Sequence, residues 1–185
     1  KFWSFLKQDT WQAWAVSLLL AFVFIKFIFF PALSFIFDTS LPLVVVESCS
    51  MYHSSNFDSW WDSNGEWYNT ITGIEKKDFE EFSFKNGLNK GDIVLISGRG
   101  EYKKGDIIVF ESSYRYPLIH RLVKTEPYAT KGDNGRTNPD QLPAETDISE
   151  DKIVGKAIGK IPGLGWIKLI FFERLRPAHE RGFCK

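Results

Sequence analysis

From Trp11 to Phe37 the chain is almost wholly apolar, and no other feature limits its folding more. A helix needs about 20 such residues to cross a bilayer. The run's one charge is Lys26. At the bilayer centre it costs about 3 kcal/mol, less if the amine snorkels to the headgroups. Pro31 is expected to kink the helix or end it one turn later. Trp11 and Trp14 form an interfacial belt at its start. A buried core helix is the less favoured reading, since a small soluble domain rarely needs such a run. A cleaved secretory signal fits less well, because the run is too long and no small-residue cleavage site follows. Lys1 and Lys7 precede the span and Asp38 follows it. The positive-inside rule then puts the N-terminus in the cytoplasm and everything from about residue 38 outside. The sequence starts at Lys1 rather than Met, so the natural N-terminus is expected upstream.

Of the 185 residues, roughly 140 remain beyond the span, enough for one core of ordinary size. The expected organisation is a cytoplasmic tip and transmembrane helix (1–37), a domain over 38–176 with an insertion at 54–90, and a polar tail (177–185). Formal net charge is zero, so no whole-chain field draws in nucleic acid. Cys49 and Cys184 are too few for a disulfide framework and match no metal motif. A single bond between them is possible in an oxidising compartment but is the less favoured reading, as no geometry in the sequence supports it.

Leu43 to Val46 is an apolar, β-branched run and predicts a strand. Lys90-Gly91-Asp92 and Lys104-Gly105-Asp106 each feed another, Ile93 to Ile96 and Ile107 to Phe110. Leu118 to Val123 and Ile153 to Ile158 are further candidates. Asp92 and Asp106 are read as turn caps rather than chemical groups. Short strands, Gly-rich turns and few helical periods predict a mainly β domain. Between Ser54 and Lys90, Trp60, Trp61, Trp67, Tyr68, Phe79, Phe82 and Phe84 are interleaved with charges. Two short helices, Asp58 to Tyr68 and Lys76 to Phe84, are expected to make this insertion partly helical; the preferred reading of its role is a decorated loop packed on the β core, the alternative an element that touches lipid or incoming substrate. Ile161 to Phe172 is apolar but too short to span, which suits an interfacial element or core.

Chemistry-bearing residues follow in order: Ser48-Cys49-Ser50-Met51, His120-Arg121, then Lys131-Gly132-Asp133-Asn134. Hydrolysis by a serine needs an activated hydroxyl, a base and donors for the oxyanion. Ser50 follows a strand end, where a turn can expose it. Ser48, two residues earlier, shares its face if the strand persists. Its hydroxyl and the Ser50 N–H are the candidate oxyanion donors. His120 lies in an apolar strand, and an unperturbed imidazole, with a pKa of about 6.5, suits base work near neutrality. His53 is the rival base; His179 lies in the polar tail and is read as solvated. Asp133 and Asp140 are both candidates for the group that orients the histidine.

Together these motifs resemble the type I signal peptidases over most of the chain. Ser48-Cys49-Ser50-Met51 is similar to that family's Ser-x-Ser-Met box, and Gly105 to Phe110 to its Gly-Asp-(apolar)3-Phe strand. His120-Arg121-Leu122-Val123 is similar to the base box, Lys131-Gly132-Asp133-Asn134 to the acid box, and Ile161-Pro162 through Lys168 to the closing segment. A histidine at the base position resembles the archaeal members and the eukaryotic ER subunit, where bacterial members have lysine. The resemblance implies an antiparallel β domain held close to the bilayer, with Ser50 as nucleophile, His120 as base and Asp133 or Asp140 as third member. Val44, Val46, Ile107 and Val109 would wall the substrate pockets. The implied partners are preprotein signal peptides, cut after small residues, membrane lipid, and accessory subunits or a translocon. The mechanism needs no metal or organic cofactor. Three departures stand out: His53 where a proline is usual, Cys49 between the serines where glycine is usual, and the long 54–90 stretch. The rival expectations are a membrane-anchored binding module of the same fold that has lost catalysis, and a relative that cleaves itself or one dedicated partner.

Overall fold

The apolar run forms one continuous helix in the computed structural model, which describes residues 2–114 and 116–185. Lys1, used above for orientation, and the His179 side chain lie outside the described residues. After a short helix α1 (Phe2–Leu6), α2 (Trp11–Phe37) starts at Thr10, whose hydroxyl accepts from the Ala13 N–H at 3.3 Å. Over Ile25–Phe29 the helix widens to π geometry. Pro31 follows two residues later. It has no N–H, and its ring crowds the carbonyl four residues back. A widened turn relieves that crowding, so Pro31 does not end the helix. With 27 residues, α2 is about 40 Å long. It is long and apolar enough to cross a membrane, and its most apolar window is 0% buried within the protein.

Asp38 closes α2 in the left-handed conformation (φ 52°). The helix end is docked on the domain. Gly98 N–H donates to Phe37 O at 2.9 Å, Arg99 to Phe35 O at 3.1 Å, and the Thr39 hydroxyl to Val154 O at 2.8 Å. A Cβ at residue 98 would collide with the Asp38 carbonyl, so this approach requires glycine.

Six strands form one antiparallel sheet: β1 (Leu43–Val45), β2 (Ile93–Ser97), β3 (Ile107–Phe110), β4 (Leu118–Thr125), β5 (Tyr128–Lys131) and β6 (Ile153–Ile161). The order is β1-β2-β6-β3-β4-β5. Asp92 and Asp106 do cap the turns entering β2 and β3; each accepts from the N–H three residues earlier, at 2.9 and 3.0 Å. Both faces are covered. Val46, Met51, Ile107, Val109 and Ile119 pack on one, and Ile108, Phe110, Leu122 and Ile148 on the other.

Two expectations need correction. The chain is mixed α and β, about 39% helix and 20% strand, rather than mainly β. Besides α2, the reason is the 54–90 insertion, which is partly helical as expected: α3 (Phe57–Thr72), longer than its expected bounds, and α4 (Lys76–Glu80), shorter than its own. Asn56 caps α3 through Ser59 N–H at 3.0 Å, and Gly73 ends it with φ 66°. Trp60, Tyr68 and Phe79 are buried with Val123 of β4 and Ala129 of β5. The second correction is Cys49–Cys184, which are bonded. After β6, the Gly165 N–H donates to Gly91 O at 2.8 Å, and helix α5 (Trp166–Phe172) leads the chain back to the loop after β1.

Candidate active site

Past β1 the chain turns tightly over Cys49–Tyr52, with Tyr52 N–H donating to Cys49 O at 3.1 Å. Ser50 and Met51 are the central residues. The loop's carbonyls are all engaged. Cys49 O also accepts from Asn134 Nδ2 at 2.8 Å, Ser50 O from Asn134 N at 2.8 Å, and Met51 O from Leu88 N at 2.8 Å. Among the described residues, Ser50 N–H has only the Ser48 hydroxyl, at 3.5 Å. Ser48 Oγ and Ser50 Oγ are 3.0 Å apart, Ser48 exposed and Ser50 half-buried. The strand does not persist to Ser48, yet the turn brings the two hydroxyls together. A nearly free N–H beside a hydroxyl is the donor pair an oxyanion needs.

Asn134 ties this loop to the sheet. Gly132 and Asn134 follow β5, whose Lys131 is the register partner of Arg121 on β4. A Cβ on Gly132 would stand 2.9 Å from Ser50 O and 2.8 Å from Asn138 Cγ, so only glycine lets the loop in. Ser50 O is thereby held against the chain just past β5, the strand that pairs with β4.

His120 and Arg121 point to opposite faces of β4, as neighbours in a strand must. On one face, buried His120 pairs through Nδ1 with Glu145 Oε1, and Thr130 Oγ1 donates to the same oxygen at 3.1 Å. The other Glu145 oxygen accepts from Leu142 N–H at 2.6 Å. Glu145 has no exposed surface. His120 Nε2 has no partner among the described residues, yet is not one of the fully buried unpaired atoms. Among the described residues, no hydrogen bond joins Ser50 to His120.

On the opposite face Arg121 forks onto Asp133, Nε at 2.9 and 3.2 Å and Nη2 at 2.7 Å. The guanidinium also donates to the carbonyls of Ser83, Phe84 and Gly105. Asp133 accepts further from Tyr68 Oη at 2.9 Å and His53 Nε2 at 3.1 Å. Burial raises the Asp133 pKa, but Arg121 and His53 together outweigh it and hold the carboxyl well below the usual range. Burial, then the Asp133 charge, push the Tyr68 hydroxyl up. Burial also lowers the Lys131 ammonium, against Asp133, Glu145 and Asp140. Lys131 Nζ donates to the carbonyls of Gly132 and Asn138 beneath the Trp67 and Tyr68 rings.

Neither expected partner of His120, Asp133 or Asp140, is hydrogen-bonded to it among the described residues. Asp133 is engaged by Arg121, and Asp140, on the surface, accepts from Trp67 Nε1 at 2.7 Å. The carboxylate on His120 is Glu145, brought there by the turn Pro143–Glu145. No sequence signal separates Glu145 from its acidic neighbours. His53 is stacked on Trp60 at 3.8 Å and 4°, with Nε2 on Asp133 and Nδ1 buried without a partner, so the rival base sits in the aromatic wall. Val46, Ile107 and Val109 are fully buried under Met51 and Leu88, and so do not wall an open pocket; Val44 is half-buried. Among the described residues, no three His, Cys, Asp or Glu side chains could hold a metal ion.

The insertion's role was not legible in the sequence. One face of α3 holds the loop after β5: Trp60 Nε1 donates to Asp133 O at 3.1 Å, Asn64 Oδ1 accepts from Gly135 N–H at 3.0 Å, and Trp67 and Tyr68 donate as above. These residues recur at helical spacing, but the polar atoms at their tips meet their partners only in three dimensions. A scan of protein-family models finds no match to this chain, and a search of curated proteins finds none.

Proposed function

We propose that this protein is a membrane-bound serine endopeptidase of the type I signal peptidase kind, cutting exported preproteins after small residues. The observation that carries the reading is the buried His120–Glu145 pair on β4, together with a turn that presents Ser50 and is tied by Asn134 to the loop after β5. Ser50 attacks the scissile carbonyl as His120 Nε2 takes its proton. Glu145 fixes the proton on Nδ1 and offsets the charge that His120 gains. Ser50 N–H and the Ser48 hydroxyl receive the oxyanion. His120 then protonates the leaving amine, and water releases the acyl group. To engage His120, Ser50 Oγ must leave its partner Ser48. Asp133 and Arg121 position the loop and take no part in proton transfer.

β1 is an outer strand, which suits an extended substrate adding alongside it. A formed disulfide fits an oxidising compartment, in keeping with a domain outside the cytoplasm and an N-terminus within it. The apolar, exposed α5 residues Ile167, Ile170 and Phe171 suit contact with membrane lipid.

One observation favours a second reading. Ser50 Oγ is paired with Ser48 rather than His120, which also fits a binding module of this fold without turnover. Cleavage of a preprotein in liposomes by wild type, Ser50→Ala, His120→Ala and His53→Ala separates the two. The peptidase reading expects loss with the first two variants and retention with His53→Ala. Equal inertness of wild type and Ser50→Ala on several preproteins sinks it.

A further inference from the structure

Cys49 stands between the two serines and is bonded to a residue 135 positions away. The segment that carries Cys184 is tied to the same loop twice more. Lys168 Nζ donates to Glu47 Oε1 at 2.8 Å, and Arg176 pairs with the other Glu47 oxygen. The segment has its own anchor in Lys90, which is buried. Its Nζ reaches Glu173 at 2.8 Å and Glu180 O at 2.7 Å, against the Trp166 ring. Phe183, next to Cys184, packs on Trp166 at 4.5 Å.

The ties differ in kind. The Lys168–Glu47 pair is largely exposed, and such pairs hold little and are screened by salt. The disulfide is covalent and independent of salt. Asn134 grips the carbonyls of Cys49 and Ser50 from the sheet side, while Cys184 grips the Cys49 side chain from the other. The Ser50 loop lies outside the named strands and helices, and these two grips act on the residues that flank and include the nucleophile, beside the Met51 O–Leu88 N bond.

We infer that the Cys49–Cys184 bond is a redox-set positioning bond for the nucleophile, with Cys184 as the positioning residue; the claim about turnover rests on the peptidase reading. A dithiol reductant attacks the bond, and both cysteines are partly exposed. The S–S bond breaks, Cys49 and Cys184 each gain a hydrogen as thiols, and the dithiol closes to its own cyclic disulfide. The loop loosens and turnover falls, and reoxidation restores both.

The test uses the full chain in detergent micelles, oxidised, or reduced with dithiothreitol and blocked with iodoacetamide. Amide hydrogen exchange over residues 47–52 is read beside preprotein cleavage; the Tyr52 amide, bonded to Cys49 O, is the reporter. Reduction should speed exchange there about tenfold or more with β3–β5 unchanged, and lower kcat about fivefold or more with KM nearly constant. Cys184→Ser should match the reduced form and ignore dithiothreitol. Unchanged exchange over 47–52 overturns the inference, as does faster exchange with undiminished cleavage. Faster exchange in a protein that cleaves nothing in either state upholds the grip on the loop and sinks the peptidase reading instead.

Discussion

Replacing Glu145 by Gln removes one charge and almost no volume, and the local hydrogen bonds dictate the outcome. The carboxylate accepts three bonds: from His120 Nδ1 and Thr130 Oγ1 on one oxygen, and from Leu142 N–H on the other. An amide has one oxygen and one NH2. If its oxygen stays on His120, the NH2 faces the Leu142 N–H, and two buried donors meet at a cost of about 1–3 kcal/mol. If its oxygen stays on Leu142, the NH2 donates to Nδ1, and Thr130 can turn its hydroxyl to accept. That second arrangement keeps every bond, so it prevails. It drives the imidazole proton to Nε2, the atom that must receive the serine's proton. At about 1.4 kcal/mol per tenfold, the competent tautomer is cut about 5- to 150-fold. Losing the carboxylate charge adds to this: at about 4 Å and an effective dielectric near 20, a unit charge is worth about 4 kcal/mol to the imidazolium. Together they lower kcat by about 10³-fold or more, with KM little changed. The assay is preprotein cleavage in liposomes near neutral pH, with a melting curve to show that the variant is folded. A Glu145→Gln protein within about fivefold of wild-type kcat would refute the reasoning, above all if Asp140→Asn abolished cleavage.

Asp133→Asn leaves Arg121 fully buried without its counter-charge and should cost about 3–5 kcal/mol in denaturant unfolding. The sign with pH follows from the lowered Asp133 pKa: its contribution is complete above the unfolded value of about 3.9 and is lost as pH falls towards the folded one. Wild type should therefore lose stability steeply below about pH 4, and the Asn variant less so. Gly132→Ala sets a Cβ against Ser50 O and should lower cleavage more than melting temperature, measured side by side. Asp140→Asn disturbs only a surface bond to Trp67, so stability should shift by less than about 1 kcal/mol and cleavage should persist.

The parts of the fold that follow from local pattern were legible in the sequence. The long N-terminal helix shows in its almost wholly apolar run, and β2 and β3 in the repeated Lys-Gly-Asp turns whose carboxylates cap them. Five of the six strands lie where apolar, β-branched runs predicted them, and β5 (Tyr128–Lys131) was missed because its short, mixed composition lacks the pattern. The insertion's two helices lie close to the expected ones, but their bounds do not follow from the pattern. Its aromatics suit strand, loop or helix, and their burial against Val123 and Ala129 decides the matter. Contacts between distant segments were not legible. Glu145 reaches His120 across 25 residues and Cys184 reaches Cys49 across 135, and neither pairing leaves a local mark.

The two histidine–carboxylate pairs show why motif spacing alone could not assign the acid. His53 with Asp133, and His120 with Glu145, both look like a base with its orienting group. They differ in what else the carboxylate holds. Asp133 carries an arginine and a tyrosine besides the histidine, and lies behind Trp60 and Phe79. Its charge is shared between Arg121 and His53, which together hold the carboxyl well below the usual range. Among the described residues, Glu145 has no such cation bonded to it; its other partners are a hydroxyl and a backbone N–H. Its negative charge remains available to His120, whose Nε2 has no partner among those residues. The carboxylate on His120 is bonded to no cation among the described residues, whereas the one on His53 is also bonded to Arg121. That difference in available charge, rather than position in the motif, is the argument for His120 as the base. It also makes Asp133 a support for the Ser50 loop, acting through Asn134.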